Sequence, residues 1–121
     1  MSERQASTFR RGQFTDSHVK VLAYLNQLGV SYKAEEVVHC YGIFDGRGRP
    51  KSFKVDVLIV DDKYHVGVIE IDGAIHNTWI RTKKDVEKDY QLNLLGLWIE
   101  HLPNKEVSLL AVSQILARHK L

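Results

Sequence analysis

Apolar residues first fall into register at Val21, Leu22, Leu25 and Leu28, the spacing of one helical face, in a run that Thr15, Asp16 or Ser17 can cap and Gly29 stops. From Val30 to Phe44 the β-rich run VSYKAEEVVHCYGIF predicts one or two strands, and the turn-forming DGRGRP from Asp45 to Pro50 returns the chain. Phe53 to Val60 then reads as a strand, Asp61-Asp62-Lys63 as a turn, and Tyr64 to Asp72 as a further strand ended by Gly73. Helical spacing returns between Ile80 and Leu95, carried by Val86, Tyr90, Asn93 and Leu94, with Gly96 as the residue beyond the C-terminus. Leu97 to Leu102 is a short strand halted by Pro103, and Asn104 is placed to cap a last helix carrying Val107, Leu110, Ala111 and Ile115. The order α-β-β-β-α-β-α predicts an α/β sandwich around one sheet, in preference to a bundle or a barrel.

A chain of 121 residues has room for one core, so residues 15–121 are expected to form a single domain preceded by a flexible basic arm over 1–14. With 44% hydrophobic and 26% charged residues the composition is that of a folding chain, not a disordered one. The opening MSERQASTFRRGQF lacks the apolar core of a signal peptide, and no stretch approaches the ~20 apolar residues of a membrane span. The expectation is an intracellular, cytoplasmic protein without membrane contact. One cysteine and no CxxC or HExxH argue against a disulfide or a structural zinc, and His39-Cys40 reads as an ordinary strand pair. The net charge is +2, with nine Lys/Arg against five acids in residues 1–54 and eight against ten in 55–121. The positive charge leans toward the N-terminal half, which suits a polyanionic partner.

The chemistry lies in the middle strands. Asp56 interrupts VDVLIV, and Glu70 and Asp72 interrupt VIEID, so these acids sit within apolar runs and not in turns. Two carboxylates ~4 Å apart at an effective dielectric near 20 repel by roughly 4 kcal/mol, a conflict that a cation resolves. Strand alternation sends Glu70 and Asp72 to one face and Ile69 and Ile71 to the other. If the 61–63 turn pairs the two strands, Asp56 faces Glu70 and the oxygens suit magnesium. The alternative is a set of ion pairs with Lys54, Lys84 or Lys88.

Asp56, then Glu70-Ile71-Asp72-Gly73-Ala74-Ile75-His76, then Asp85, Lys88-Asp89, Leu92 and Gly96, resembles the PD-(D/E)xK nuclease superfamily over about residues 15 to 116. The nearest likeness is to its very-short-patch-repair-like branch, which holds small nuclease domains and phage-type homing endonucleases. The resemblance implies an αβββαβ restriction-endonuclease-like core, with a central mixed sheet flanked by helices and an extra C-terminal helix. It implies a metal-dependent DNA endonuclease using Mg²⁺, with Mn²⁺ able to substitute, and an origin compatible with phage or mobile elements. Asp56 and Glu70 become metal ligands together with the carbonyl of Ile71. Asp72 stands where the superfamily places a lysine, a departure that moves the general base to His76; Lys88 or Lys84 can stand in for the lysine from the following helix. Asp89, with Asp85, can orient His76 or a metal-bound water, or the Arg81/Asp85/Asp89 series can be a salt-bridged face. The branch often carries an arginine where Glu100 and His101 occur, and a first-helix glutamate for which only Asp16 and His18 are at hand.

Arg47, Arg49 and Lys51 in the hairpin and Arg10 and Arg11 in the arm are the candidate phosphate contacts, and Trp79 a candidate stacking residue. Both a monomer that nicks and a homodimer that cuts both strands fit, with a further partner supplying specificity. The competing expectation is a catalytically degenerate nuclease fold that binds DNA or protein; an RNA-directed enzyme has neither an RNP-like motif nor a GXXG loop to recommend it.

Overall fold

The computed structural model describes residues 16–72 and 79–121. Helix α1 (Asp16–Gln27) leads into strands β1 (Ser31–Phe44), β2 (Pro50–Asp61) and β3 (Tyr64–Asp72), followed by α2 (Trp79–Leu94), β4 (Trp98–Pro103), a single 3-10 turn (Asn104–Glu106) and α3 (Leu109–Arg118). The strands form one mixed sheet in the order β1-β2-β3-β4, antiparallel except for the parallel β3–β4 pair. The architecture is therefore α/β with helices packed on the sheet, in the element order that the sequence predicts. Among the described residues no helix is long and apolar enough to cross a membrane.

Strand alternation divides the core. Val57, Ile59, Ile69, Ile71 and Leu102 pack with Val21 and Leu25 of α1 and Val112, Ile115 and Leu116 of α3. On the other face Leu58 and Val68 pack with Leu92 of α2, with Leu97 and with Ile99 of β4. Ile69 and Ile71 thus oppose Val68, the parity expected for β3.

Two helix registers differ from the sequence expectation. In α2 the expected inner residues Val86, Tyr90 and Leu94 are 64%, 60% and 64% exposed, whereas Leu92 is fully buried. The reason is chemical: the inward side of this helix carries Lys88 and Asp89 toward a polar cavity, so its apolar stripe is left outside. In α3 Leu110 is exposed and Val112, Ile115 and Leu116 are buried. Ser108, not Asn104, caps that helix, its hydroxyl accepting a hydrogen bond from the Ala111 amide at 3.0 Å. Asn104 instead opens the intervening 3-10 turn, which shifts the register of α3. Gly96 fulfils its expected role at φ 86, beyond the end of α2.

Gly67 has a different purpose. A Cβ built there would lie 2.1 Å from Cε2 of Trp98, its register partner on β4. The other side of that indole is stacked on His119, at 4.0 Å between ring centroids and 4° between planes. Gly67→Ala is expected to displace the indole and destabilise the fold by about 1–3 kcal/mol, with the stack lost. Denaturant midpoints check this: the cost should shrink by more than half in a Trp98→Leu background, and equal costs in both backgrounds would contradict it.

Candidate active site where two strands part

The β2–β3 ladder runs from Asp61 paired with Tyr64 to Val57 paired with Ile69. At the next position the backbone donors turn to side chains. The Asp56 amide donates to Glu70 Oε2 at 2.9 Å, and the Ile71 amide donates to Asp56 Oδ2 at 2.8 Å. Each acid thus caps an amide of the opposite strand, in bonds strengthened by the carboxylate charge. Beyond Ile69, β3 continues in register with β4, pairing Glu70 with His101 and Asp72 with Pro103. The sheet forks here, and the acids occupy the fork.

A cavity of about 290 Å³ at this fork is lined by His18, Asp56, Glu70, Ile71, Asp72, Asp85, Lys88, Asp89 and His101. Lys88 reaches in from α2. Its ammonium donates to Glu70 Oε1 at 2.9 Å and to the Lys54 carbonyl at 2.6 Å. Asp89, one residue on, contacts His101 Nε2 through Oδ2 at 2.7 Å, while Asp72 Oδ2 lies 3.1 Å from His101 Nδ1. The other Asp89 oxygen, Oδ1, is buried without a hydrogen-bond partner among the described residues. His18 of α1 brings Nε2 to 3.6 Å from Asp56 Oδ2, an ion-pair distance too long for a hydrogen bond.

These surroundings separate the two central carboxyls. Burial by itself would raise Asp56, but His18, the Ile71 amide and the charge of Lys88 outweigh it, so its pKa falls below the ordinary value. Burial dominates at Glu70 and raises its pKa, with the Asp56 charge acting in the same sense and Lys88 opposing. Asp56 is thus the more readily ionised of the two carboxyls, and Lys88 favours the charged form of Glu70 against burial. The Asp56 carboxylate raises the His18 imidazole pKa, against burial.

The His18–Asp56 pair has a definite pH signature. A histidine pKa raised in the fold contributes stability that is complete below the unfolded value near 6.5 and disappears as pH climbs through the folded value. The lowered Asp56 pKa contributes above its unfolded value near 3.9 and is lost as pH falls through the folded one. The gap in thermal midpoint between the wild-type chain and His18→Gln should therefore be greatest near pH 5–6 and narrow toward pH 9. A gap that widens with pH would contradict the pairing.

Of the residues that the sequence singles out, Asp56, Glu70, Ile71, Asp72, Lys88 and Asp89 line one cavity, joined by Asp85. His76, Arg10 and Arg11 lie outside the described residues, as do the side chains of Trp79, Arg81 and Lys84. The hairpin cations line no part of the fork, and two of them are paired elsewhere. Arg49 pairs with Asp45 at 3.3 Å and Lys51 with Glu87 at 3.2 Å, and Asp45 Oδ1 ties down the amides of Arg47 and Arg49. Arg49 and Lys51 line a separate groove with His39, Asp45, Pro50 and Ser52. Of the expected ion-pair partners, Lys88 does pair with Glu70, whereas Lys54 reaches Glu35 at 3.0 Å.

His18, which the sequence offers beside Asp16 as a first-helix contribution, does reach the site, and so does His101, which the sequence marks only as standing where the branch carries an arginine. His18 stands three and seven residues before the buried Val21 and Leu25, hence on the same helical stripe, which is a legible signal. His101 alternates with the buried Leu102 and shares the face of Ile99, a signal that becomes useful only once α2 is known to cover that face.

Among the described residues, no group of three or more His, Cys, Asp or Glu side chains is arranged to hold a metal ion. Comparison with known proteins gives no match to a family model, a curated protein or a solved structure.

Proposed function

We propose that this chain is a Mg²⁺-dependent DNA endonuclease of the PD-(D/E)xK type, with a restriction-endonuclease-like core and its active site at the β2–β3 fork. The observation that carries the reading is the meeting of Asp56, Glu70 and Lys88 in one cavity, two acids from adjacent strands and a lysine from the helix that covers them. This supports Lys88 as the stand-in for the strand lysine whose place Asp72 takes.

The donors proposed for a hard divalent cation are the carboxylates of Asp56 and Glu70 and the carbonyl of Ile71, oxygens of the kind that magnesium prefers. When bound, Mg²⁺ or Mn²⁺ would supply the charge that acidifies water and stabilises the phosphorane-like transition state. The protein's own part is to hold Asp56 ionised, through His18 and the Ile71 amide, and to keep Lys88 beside Glu70, where it can turn its ammonium to a phosphate oxygen. His76, four residues beyond Asp72, is the proposed general base, since an imidazole with pKa near 6.5 can accept a proton at neutral pH. DNA contacts beyond the cavity fall to Arg47, Arg49, Lys51, Arg10 and Arg11, with a homodimer or a specificity partner completing recognition.

One feature favours a second reading, a catalytically degenerate fold that binds DNA or protein. Both oxygens of Glu70 already have protein donors, so the site is satisfied without a cation. Incubating the chain with supercoiled, branched, mismatched and single-stranded DNA and with RNA, in Mg²⁺ and Mn²⁺, tests the two. Cleavage of DNA that requires the cation supports the nuclease. Absence of cleavage of every substrate, together with no calorimetric Mg²⁺ binding that depends on Asp56, would leave the binding module.

A further inference from the structure

Helix α2 is amphipathic in the reverse sense. Its sheet-facing side carries Lys88 and Asp89 around Leu92, its fully buried apolar residue among those described, while Val86, Tyr90 and Leu94 stand 64%, 60% and 64% exposed. Spaced four residues apart, these three form one ridge along the outer face, and Leu95, 47% exposed, extends it beyond the helix. From there the apolar surface runs on into a groove of about 340 Å³ whose apolar lining is Val37, Val38, Leu58, Leu95 and Leu97. The ridge with Leu95 presents roughly 400 Å² of apolar surface to water, the size at which an exposed patch marks an interaction site.

The ridge has the symmetry of a surface that meets its own copy. Tyr90 is its midpoint, with Val86 four residues before it and Leu94 four after. When two such helices cross antiparallel on a two-fold axis at Tyr90, Val86 of each faces Leu94 of the other and the two tyrosines meet ring to ring. The charges agree with that arrangement. Helix α2 has no acid in its first turn and no basic residue in its last, and the sequence places Arg81, Lys83 and Lys84 in its N-terminal half. Within one chain this opposes the helix dipole, which is positive at the N-terminus. In the antiparallel pair Lys83, three residues before Val86 on the ridge, comes beside the last turn of the other copy, the negative end of its dipole. The area is of the right order as well. Two ridges supply about 800 Å² of apolar contact, and at the usual apolar share of roughly 60% the whole interface is about 1,300 Å², inside the range of specific complexes and toward its lower end.

We propose that the outer face of α2 is a homodimer interface, two copies packing antiparallel about Tyr90 in a reversible pair of about micromolar strength. The inner face of the helix, with Lys88 and Asp89, stays turned to the fork, so pairing and the cavity use opposite sides of one element. The interface does not rest on the nuclease reading, and its test reads mass in place of cleavage.

Sedimentation equilibrium of the full chain from about 1 to 300 µM brackets a dimer of that strength. The mass should rise from the 13.9 kDa of one chain toward twice that value. Tyr90→Glu and Tyr90→Lys, with folding checked by circular dichroism, should each stay monomeric over that range, since either sets two like charges on the axis. An equimolar mixture of the two should dimerise at least about 10-fold more tightly than either alone, because residue 90 then meets its opposite charge. Val86→Asp should weaken the pair through its contact with Leu94, whereas the same change at Val19, 40% exposed on α1, should not. A wild-type chain that stays monomeric at the highest concentration overturns the proposal, as does a dimer that Tyr90→Glu or Val86→Asp leaves intact. A mixture that fails to dimerise, with both variants folded, overturns the two-fold contact at Tyr90.

Discussion

Asp56→Asn is expected to lower DNA cleavage by about two to three orders of magnitude while the chain stays folded, the usual cost of removing one electrostatic contributor to a transition state. Asparagine is the informative replacement because its amide oxygen can still accept the hydrogen bond that the Ile71 amide now gives to Asp56 Oδ2. The substitution removes the charge, and with it both the ion pair to His18 and the oxygen donor proposed for Mg²⁺. Single-turnover cleavage, calorimetric Mg²⁺ titration and a thermal melt should separate these effects. Cleavage and cation binding should fall together, with the thermal midpoint shifted only by the lost pair. A variant that cleaves within threefold of the wild-type rate would remove Asp56 from the chemistry.

The acids of this site were legible in the sequence because they break a rule that the rest of β2 and β3 obey. Val57, Ile59, Ile69 and Ile71 alternate correctly for one buried face, so Asp56, Glu70 and Asp72 stand out against the pattern, and parity alone brings Glu70 and Asp72 to one cavity. The register of the antiparallel pair then sets Asp56 beside Glu70, as the short turn at 61–63 predicts. The features that were not legible depend on packing between elements distant in the chain. The inner face of α2 cannot be read from hydrophobicity, because Val86, Tyr90 and Leu94 form the more apolar stripe and yet face outward. Only the need to bring Lys88 and Asp89 over the fork accounts for the observed rotation. His101 was obscure for a related reason. A histidine on a short strand gives no sign of its neighbours until the parallel β3–β4 pairing places it opposite Glu70.

A further consequence of that rotation is that α2 is fixed to the sheet as much by polar groups as by apolar ones. Leu92 is its fully buried apolar residue among those described, and around it stand the Lys51–Glu87, Lys88–Glu70 and Asp89–His101 contacts. Exposed ion pairs contribute little to stability, so most of the polar share should reside in the more enclosed Lys88–Glu70 pair. The site and the attachment of the helix therefore draw on the same side chains.

Lys88→Met separates those two roles. Methionine keeps much of the apolar stem but removes the donor to Glu70 Oε1 and to the Lys54 carbonyl. Glu70, with its side chain only 13% exposed, is then left beside Asp56 with burial and like charge both raising its pKa and no lysine to oppose them. The expected loss is about 2–3 kcal/mol at pH 7, below the 3–5 kcal/mol of a fully buried broken pair because both partners keep some exposure. The sign of the pH dependence comes from linkage. A carboxyl whose folded pKa is raised costs stability above that pKa, and the cost vanishes as pH falls below the unfolded value near 4.3. The deficit of the variant should therefore shrink between pH 7 and pH 4, and Glu70→Gln in the same chain should recover much of it at pH 7. Mg²⁺ provides the functional contrast. If the cavity takes a divalent cation, millimolar Mg²⁺ should raise the midpoint of Lys88→Met more than that of the wild-type chain, since the cation no longer competes with an ammonium at Glu70. Cleavage should still fall, because the cation cannot replace the lysine at the phosphate. A variant insensitive to Mg²⁺, from a wild-type chain equally insensitive, would instead make Lys88–Glu70 a structural ion pair and favour the binding module.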